Sequence, residues 1–93
     1  MLSNALQRLV ERSRDDKSIV GVRVGHGYYG CESGCCGSEI QVVDSEGDEL
    51  DHAEFAFNHD YASRLDEAKE VATTLELPLF DNEELRKKVE NCW

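Results

Sequence analysis

Three consecutive segments in the middle of the chain alternate apolar and polar residues, and this pattern constrains the fold more than any other feature. The first is IVGVRV, residues 19–24, whose valines fall on one face. The second is EIQVVD, residues 39–44, and the third surrounds HAEFAFN, residues 52–58. Successive side chains of a strand point to opposite sides, so each segment is predicted to be a half-buried strand.

The connection between the second and third strands predicts a tight hairpin. It reads SEGDE, residues 45–49, and Gly47 supplies the positive φ that such a turn needs. Strands that follow one another through short connections form an antiparallel meander. The core-facing residues of the second and third strands are expected to be Ile40, Val42, Ala53, Phe55 and Phe57.

A helix is predicted before the strands. Ser3 or Asn4 can cap it, and its apolar residues recur at spacings of three and four, which is the period of one helix face. We expect it to end near Arg14, before the polar connection to the first strand. Its apolar face comprises Leu2, Leu6, Leu9 and Val10.

Two more helices are predicted after the strands. The first of them follows a cap at Asn58 or Asp60 and is stopped by Pro78. The second begins with Asp81 and Glu84, in the spacing of a capping box. The predicted fold class is therefore α+β, with an N-terminal helix, a three-stranded antiparallel meander and two C-terminal helices packed on one sheet face. A chain of 93 residues has room for one core, so a single domain over residues 1–93 is expected.

The charge distribution argues for a basic protein partner. The net charge is −10, and residues 24–63 carry nine acids without a lysine or arginine. Nucleic-acid binding depends on Lys and Arg, so direct DNA or RNA binding is not expected. The hypothesis is a small acidic interaction module that inhibits or masks a basic protein, such as one that binds nucleic acid. The predicted contact residues are Tyr29, Glu32, Asp44, Glu46, Asp48, Glu49, Asp51 and Glu54.

The glycine-rich loop between the first two strands suggests a second function, namely a thiophilic metal site. Cys31, Cys35 and Cys36 fall within six residues, and His26 precedes them. Thiolates and imidazole are ligands of zinc, and thiolates also hold iron–sulfur clusters. His26 or Cys92 would complete a set of four donors. The spacing differs from the C-x2-C pair of common zinc sites, and adjacent cysteines point apart, which weakens this reading.

Three other readings of the acidic and cysteine-rich segments stay open. The loop cysteines could form a redox pair, but Glu32 and Glu39 favour the neutral thiol. They could also be structurally incidental in a hairpin loop. Residues 44–54 resemble a calcium loop only in part, because Gly47 precedes the third oxygen donor instead of following it.

No enzyme class is indicated. The chain contains no phosphate-binding loop, no nucleophile elbow and no zinc-protease motif, so it is not expected to be an enzyme. No apolar run is long enough to cross a bilayer, and no secretory signal is recognisable at the N-terminus, so a cytoplasmic location is expected. The edges of a small sheet and Trp93 also suggest a homodimer.

Overall fold

The computed structural model describes residues 2–28, 36–57 and 60–91, with only the backbone described at Tyr28 and Cys36. Within these ranges the protein has three helices and four strands, and the first three strands follow one another without a helix between them, as in the α+β class. Their order is α1 (Asn4–Arg14), β1 (Gly21–Tyr28), β2 (Cys36–Val43), β3 (Glu49–Ala56), α2 (Tyr61–Leu75), β4 (Leu79–Phe80) and α3 (Glu83–Glu90).

The predicted meander is confirmed, and a fourth strand extends it. The strand order is β3-β2-β1-β4. The first three strands are antiparallel neighbours, whereas β4 runs parallel to β1 and pairs with Val22 and Arg23. A two-residue strand after Pro78 is too short to show any period, which is why the sequence pattern does not reveal it.

All three helices contribute to one core on the same side of the sheet. Alternate residues of β1 and β2 supply the sheet side of this core, and apolar residues of the three helices cover them. The packing therefore leaves the other side of the sheet without a described helix. The fully buried core residues are Leu9, Val22, Val24, Ile40, Val42, Ala68, Val71 and Val89.

The helix starts follow the predicted caps in two cases out of three. The Ser3 side chain accepts a hydrogen bond from the Leu6 amide at 3.2 Å, and Asp60 caps α2. The predicted cap of α3 at Asp81 is wrong, because Asn82 caps that helix. The Asp81 carboxylate instead accepts a hydrogen bond from the Tyr61 hydroxyl at 3.0 Å, which ties α2 to the segment before α3.

A bulge in β3 overturns the prediction that Phe55 and Phe57 face the core with Ala53. Ser38 pairs with Ala56 and Ile40 pairs with Ala53, so one strand has an extra residue at this point. Glu54 takes a left-handed φ of 58°, which is unusual for a residue other than glycine. The bulge turns the Phe55 ring to the opposite side of the sheet, as bulges commonly do.

The hairpin turn at residues 44–48 has the predicted conformation. Gly47 has a φ of 83°, and its amide donates to the Asp44 carbonyl at 3.0 Å. None of the described helices is long and apolar enough to cross a membrane.

Candidate functional site on the open face of the sheet

We call the side of the sheet that faces away from the helices the open face. Its residues alternate along each strand with the core residues of that strand, since side chains of a strand point to the two sides in turn. This face carries most of the polar and aromatic residues of the sheet. Its residues are Gly21, Arg23, Gly25, Gly27, Gly37, Glu39, Gln41, Val43, Glu49, His52 and Phe55.

Glycines of β1 make room for large side chains from the neighbouring strands. A Cβ atom at Gly25 would overlap the Gln41 side chain, and one at Gly27 would overlap the Glu39 carboxylate. The same Cβ at Gly27 would lie 2.9 Å from the Phe55 ring. Side chains of β2 and β3 therefore lie across the backbone of β1. This arrangement explains why Glu39 and Gln41 are only 7% and 6% exposed on a face that no described helix covers.

A chain of hydrogen bonds runs along the open face. Arg23 donates from Nε to Gln41 Oε1 at 2.7 Å and from Nη1 to the Gly47 carbonyl at 2.7 Å. Gln41 donates in turn from Nε2 to Glu39 Oε2 at 3.1 Å. The positive charge of Arg23 is thus directed at the turn and at a neutral amide.

Two carboxylates and one imidazole, the Glu–His cluster, meet at the β2–β3 side of this face. His52 Nδ1 lies 3.2 Å from Glu49 Oε1 and 3.5 Å from Glu39 Oε2. Val42 pairs with Asp51 and Val43 with Glu49, so Leu50 is an extra residue that brings Glu49 onto the same side as His52.

The surroundings of Glu39 raise the pKa of its carboxyl group above the usual value. Burial is the largest cause, because it disfavours the charged form. A hydrogen bond with the Glu49 carboxyl acts in the same direction. The Gln41 hydrogen bond and the His52 charge act in the opposite direction and do not cancel these effects.

Exposed aromatic rings lie at both ends of the open face. Phe57 packs edge-on against Phe55, with ring centroids 5.3 Å apart, and is itself 56% exposed. At the other end Phe80 is 40% exposed and lies where a side chain at Gly21 would project.

Two of the predicted acidic contact residues are already engaged within the chain. The Asp44 carboxylate accepts hydrogen bonds from the amides of Glu46 and Asp48 at 2.9 and 3.0 Å, so it stabilises the turn. Asp51 pairs with Arg12 of α1 through contacts of 2.7 and 3.3 Å. The Arg12 guanidinium, which lies on the helix side of the sheet, holds the pKa of Asp51 below its usual value.

The other acidic contact residues in the described ranges fall into two groups. Glu46 and Asp48 are exposed at the tip of the turn, next to the Gly47 carbonyl that Arg23 binds. Glu49 belongs to the Glu–His cluster, and Glu54 is half-buried at the bulge. The acidic segment is therefore not one continuous face. Its solvent-directed part is the turn tip.

The predicted thiophilic site falls largely outside the described residues. Cys31 and Cys35 lie outside them, as do the predicted contact residues Tyr29 and Glu32. His26 lies on the helix side of β1, and its Cα partner is Ser38. Cys36 pairs with Tyr28, two positions further along β1 than His26. The zinc, iron–sulfur and redox hypotheses for this loop remain predictions.

Four residues at the open face, Glu39, His52, Phe57 and Phe80, were not predicted to be site residues from the sequence. One signal was present, namely the glycines on one face of β1, Gly21, Gly25 and Gly27, together with the large polar residues Glu39 and Gln41 on the same face of β2. Such a pattern marks a strand over which neighbouring side chains fold. The approach of Glu49 to His52 had no signal, because it depends on a bulge. No protein-family model, no curated protein and no solved structure matches this chain.

Proposed function

We propose that this protein is a small interaction module that occupies the basic surface of a partner protein and thereby masks or inhibits it. The contact surface is the open face together with the turn tip, Glu46 and Asp48. One observation carries the proposal: two exposed rings, Phe57 and Phe80, flank a sheet face without a described helix and beside an acidic turn. Buried aromatic anchors surrounded by polar groups supply most of the binding energy in protein interfaces.

The conformation of β3 supports a role for the aromatic pair. Glu54 adopts a left-handed conformation that costs about 1–2 kcal/mol for a residue with a side chain. The buried Arg64 of α2 donates a hydrogen bond to the Glu54 carbonyl and so holds the bulge in place. The result is that Phe55 and Phe57 lie outside the core. Strained backbone often occurs where it presents groups to a ligand.

The charges indicate the kind of partner. The chain has a net charge of −10, and Glu46 and Asp48 make no side-chain ion pair within the described ranges. Arg23, which contacts this turn, donates its hydrogen bonds to Gln41 and the Gly47 carbonyl. A partner with lysines and arginines around an apolar patch would complement this surface, and a cytoplasmic nucleic-acid-binding protein has such residues.

The test compares two pairs of charge reversals that alter the net charge equally. Wild-type protein is immobilised and used to capture its partner from a lysate of the source cells. The captured partner is then identified and purified. Its binding is then measured by surface plasmon resonance at several salt concentrations. Glu46→Lys with Asp48→Lys should slow association by about tenfold or more and remove most of its salt dependence. Phe57→Ala and Phe80→Ala should instead speed dissociation, since anchors act mainly after docking.

The control pair is Glu11→Lys with Asp66→Lys, two exposed acids on the helix side of the molecule. It should leave the association rate close to that of the wild type. Equal slowing by both pairs would show that only the overall charge matters, and the proposed surface would be wrong. Unchanged dissociation in both phenylalanine variants would also overturn the role of the open face.

A further inference from the structure

We propose that Glu39, Glu49 and His52 bind a divalent transition-metal ion, with zinc as the best fit. The distances are the first observation. One donor atom from each residue lies within 4.8 Å of the others. His52 Nδ1 is 3.2 Å from one carboxylate oxygen and 3.5 Å from the other. A tetrahedral zinc ion with bonds of about 2.0–2.1 Å keeps its ligands about 3.3–3.4 Å apart, which is close to both His52–carboxylate distances.

The charge balance around Glu39 is the second observation. Its side chain is only 9% exposed, and it lies against a second carboxyl group, that of Glu49. Glu39 is removed from water, whereas the Glu49 side chain is 36% exposed, and a buried carboxylate next to a second carboxyl group is stabilised by a counter-charge. The guanidinium of Arg23 does not supply it, because its described hydrogen bonds go to Gln41 and the Gly47 carbonyl. The group that faces both carboxyls is the imidazole of His52, which is itself a metal ligand when neutral. A bound cation would neutralise the pair and take up both oxygens and the imidazole nitrogen.

The donor set selects the class of ion. An imidazole with carboxylates suits zinc and its first-row neighbours, whereas calcium prefers oxygen ligands alone and more of them. Gln41 would orient the inner ligand, since its amide already donates to Glu39 Oε2. Three protein ligands leave a fourth position. This position would face solvent, because the His52 side chain is 55% exposed.

Cobalt(II) is the probe, because it replaces zinc in tetrahedral sites and its absorption spectrum reports its ligands. Metal-free, reduced protein is titrated with cobalt(II), and the spectrum of His52→Gln is subtracted from that of the wild type. The difference should show visible d–d bands that saturate at one ion per chain and contain no thiolate charge-transfer band. This subtraction removes the absorption of any cobalt ion that the cysteine-rich loop binds in both proteins. Glu49→Gln should weaken the His52-dependent binding by at least about tenfold.

Glu46→Gln is the matched control, because it removes a nearby exposed acid outside the cluster, and it should leave the difference spectrum unchanged. Zinc should also raise the Tm of the wild type more than that of His52→Gln. A featureless difference spectrum would overturn the site. A difference spectrum with a thiolate band would do so as well, since the ion would then belong to the cysteines. Neither result would affect the charge-reversal test of partner binding.

Discussion

Glu39 and Asp51 lie on neighbouring strands, and their surroundings shift their pKa values in opposite directions. Burial raises the pKa of Glu39, and the Arg12 guanidinium lowers that of Asp51. The two residues face opposite sides of the sheet: Glu39 lies on the open face, and Asp51 lies at the contact between α1 and β3. The direction of a pKa shift sets how the residue's contribution to stability changes with pH. Their effects on stability should therefore depend on pH in opposite ways.

Asp51→Asn should lower the free energy of unfolding at pH 7 by about 0.5–1 kcal/mol, because the pair with Arg12 is partly exposed. The folded pKa lies below the unfolded value of about 3.9. The stabilisation is therefore present above that value and is lost as pH falls through the folded pKa. Urea unfolding at pH 7 and near pH 3 checks this. An equal difference at both pH values would show that the ion pair is not its source.

Glu39→Gln should raise the free energy of unfolding at pH 7 by about 1 kcal/mol or more, because it removes a poorly compensated buried charge. The folded pKa of Glu39 lies above the unfolded value of about 4.3. Wild-type stability is therefore lost as pH rises through the folded pKa, and the variant should not show this loss. Unfolding by urea in the presence of a chelator, from pH 4 to pH 7, measures the difference. Glu46→Gln serves as the exposed control, and a destabilised Glu39→Gln protein would contradict the prediction.

At the scale of helices and strands, local sequence patterns predicted the features that depend on residues close together in the chain, namely helices, caps and turns. The apolar spacing and the caps at Ser3 and Asp60 identified α1 and α2, and Gly47 identified the turn. The patterns missed features that local chemistry does not encode. Glu54 and Glu76 have left-handed φ values although neither is glycine or asparagine. Packing imposes these conformations, so the sequence around Glu54 gives no sign of the bulge, and Pro78 predicted that α2 stops but not that Glu76 ends it in a left-handed conformation.

Glu76→Gly should stabilise the end of α2. Glu76 follows the last helical residue at a φ of 58°, and its amide donates to the carbonyls of Ala72 and Thr73. Glycine adopts this conformation without steric cost, and the gain exceeds its greater entropy in the unfolded chain. We expect an increase of about 0.5–1 kcal/mol by urea unfolding. Glu76→Val should show the opposite effect, because a branched Cβ clashes at positive φ. A loss of stability in the glycine variant would show that the Glu76 side chain itself contributes.

At the scale of the whole molecule, the candidate site is assembled from residues that are distant in sequence. His52 meets Glu39 across two strands, and Arg12 meets Asp51 from another element. Strand alternation predicts which side of the sheet a residue faces, but it predicts neither the register nor the bulges that set these distances. The site was therefore visible only in part, as the acidic turn and the glycine spacing of β1.

The fold should become more stable as salt is added. A net charge of −10 on 93 residues gives mutual repulsion in the folded state, and salt screens it. Raising the ionic strength from about 0.01 M to about 1 M shortens the screening length from about 30 Å to about 3 Å. We expect Tm to rise by several degrees in calorimetry, and less for the double variant Glu46→Lys with Asp48→Lys. A fall in Tm would show that attractive pairs such as Arg12–Asp51 outweigh the repulsion.

The C-terminal segment, which comprises β4 and α3, should open locally while the rest of the native state stays folded. β4 pairs with β1 at two positions, and α3 buries Val89 alone. Segments with so little buried surface form units that exchange their amide hydrogens through local opening, at a lower free energy than the rest. The amides of α3 should therefore exchange before those of β2. Each opening uncovers the edge of β1 at Val22 and Arg23, where the same segment of a second chain could pair and give a domain-swapped dimer.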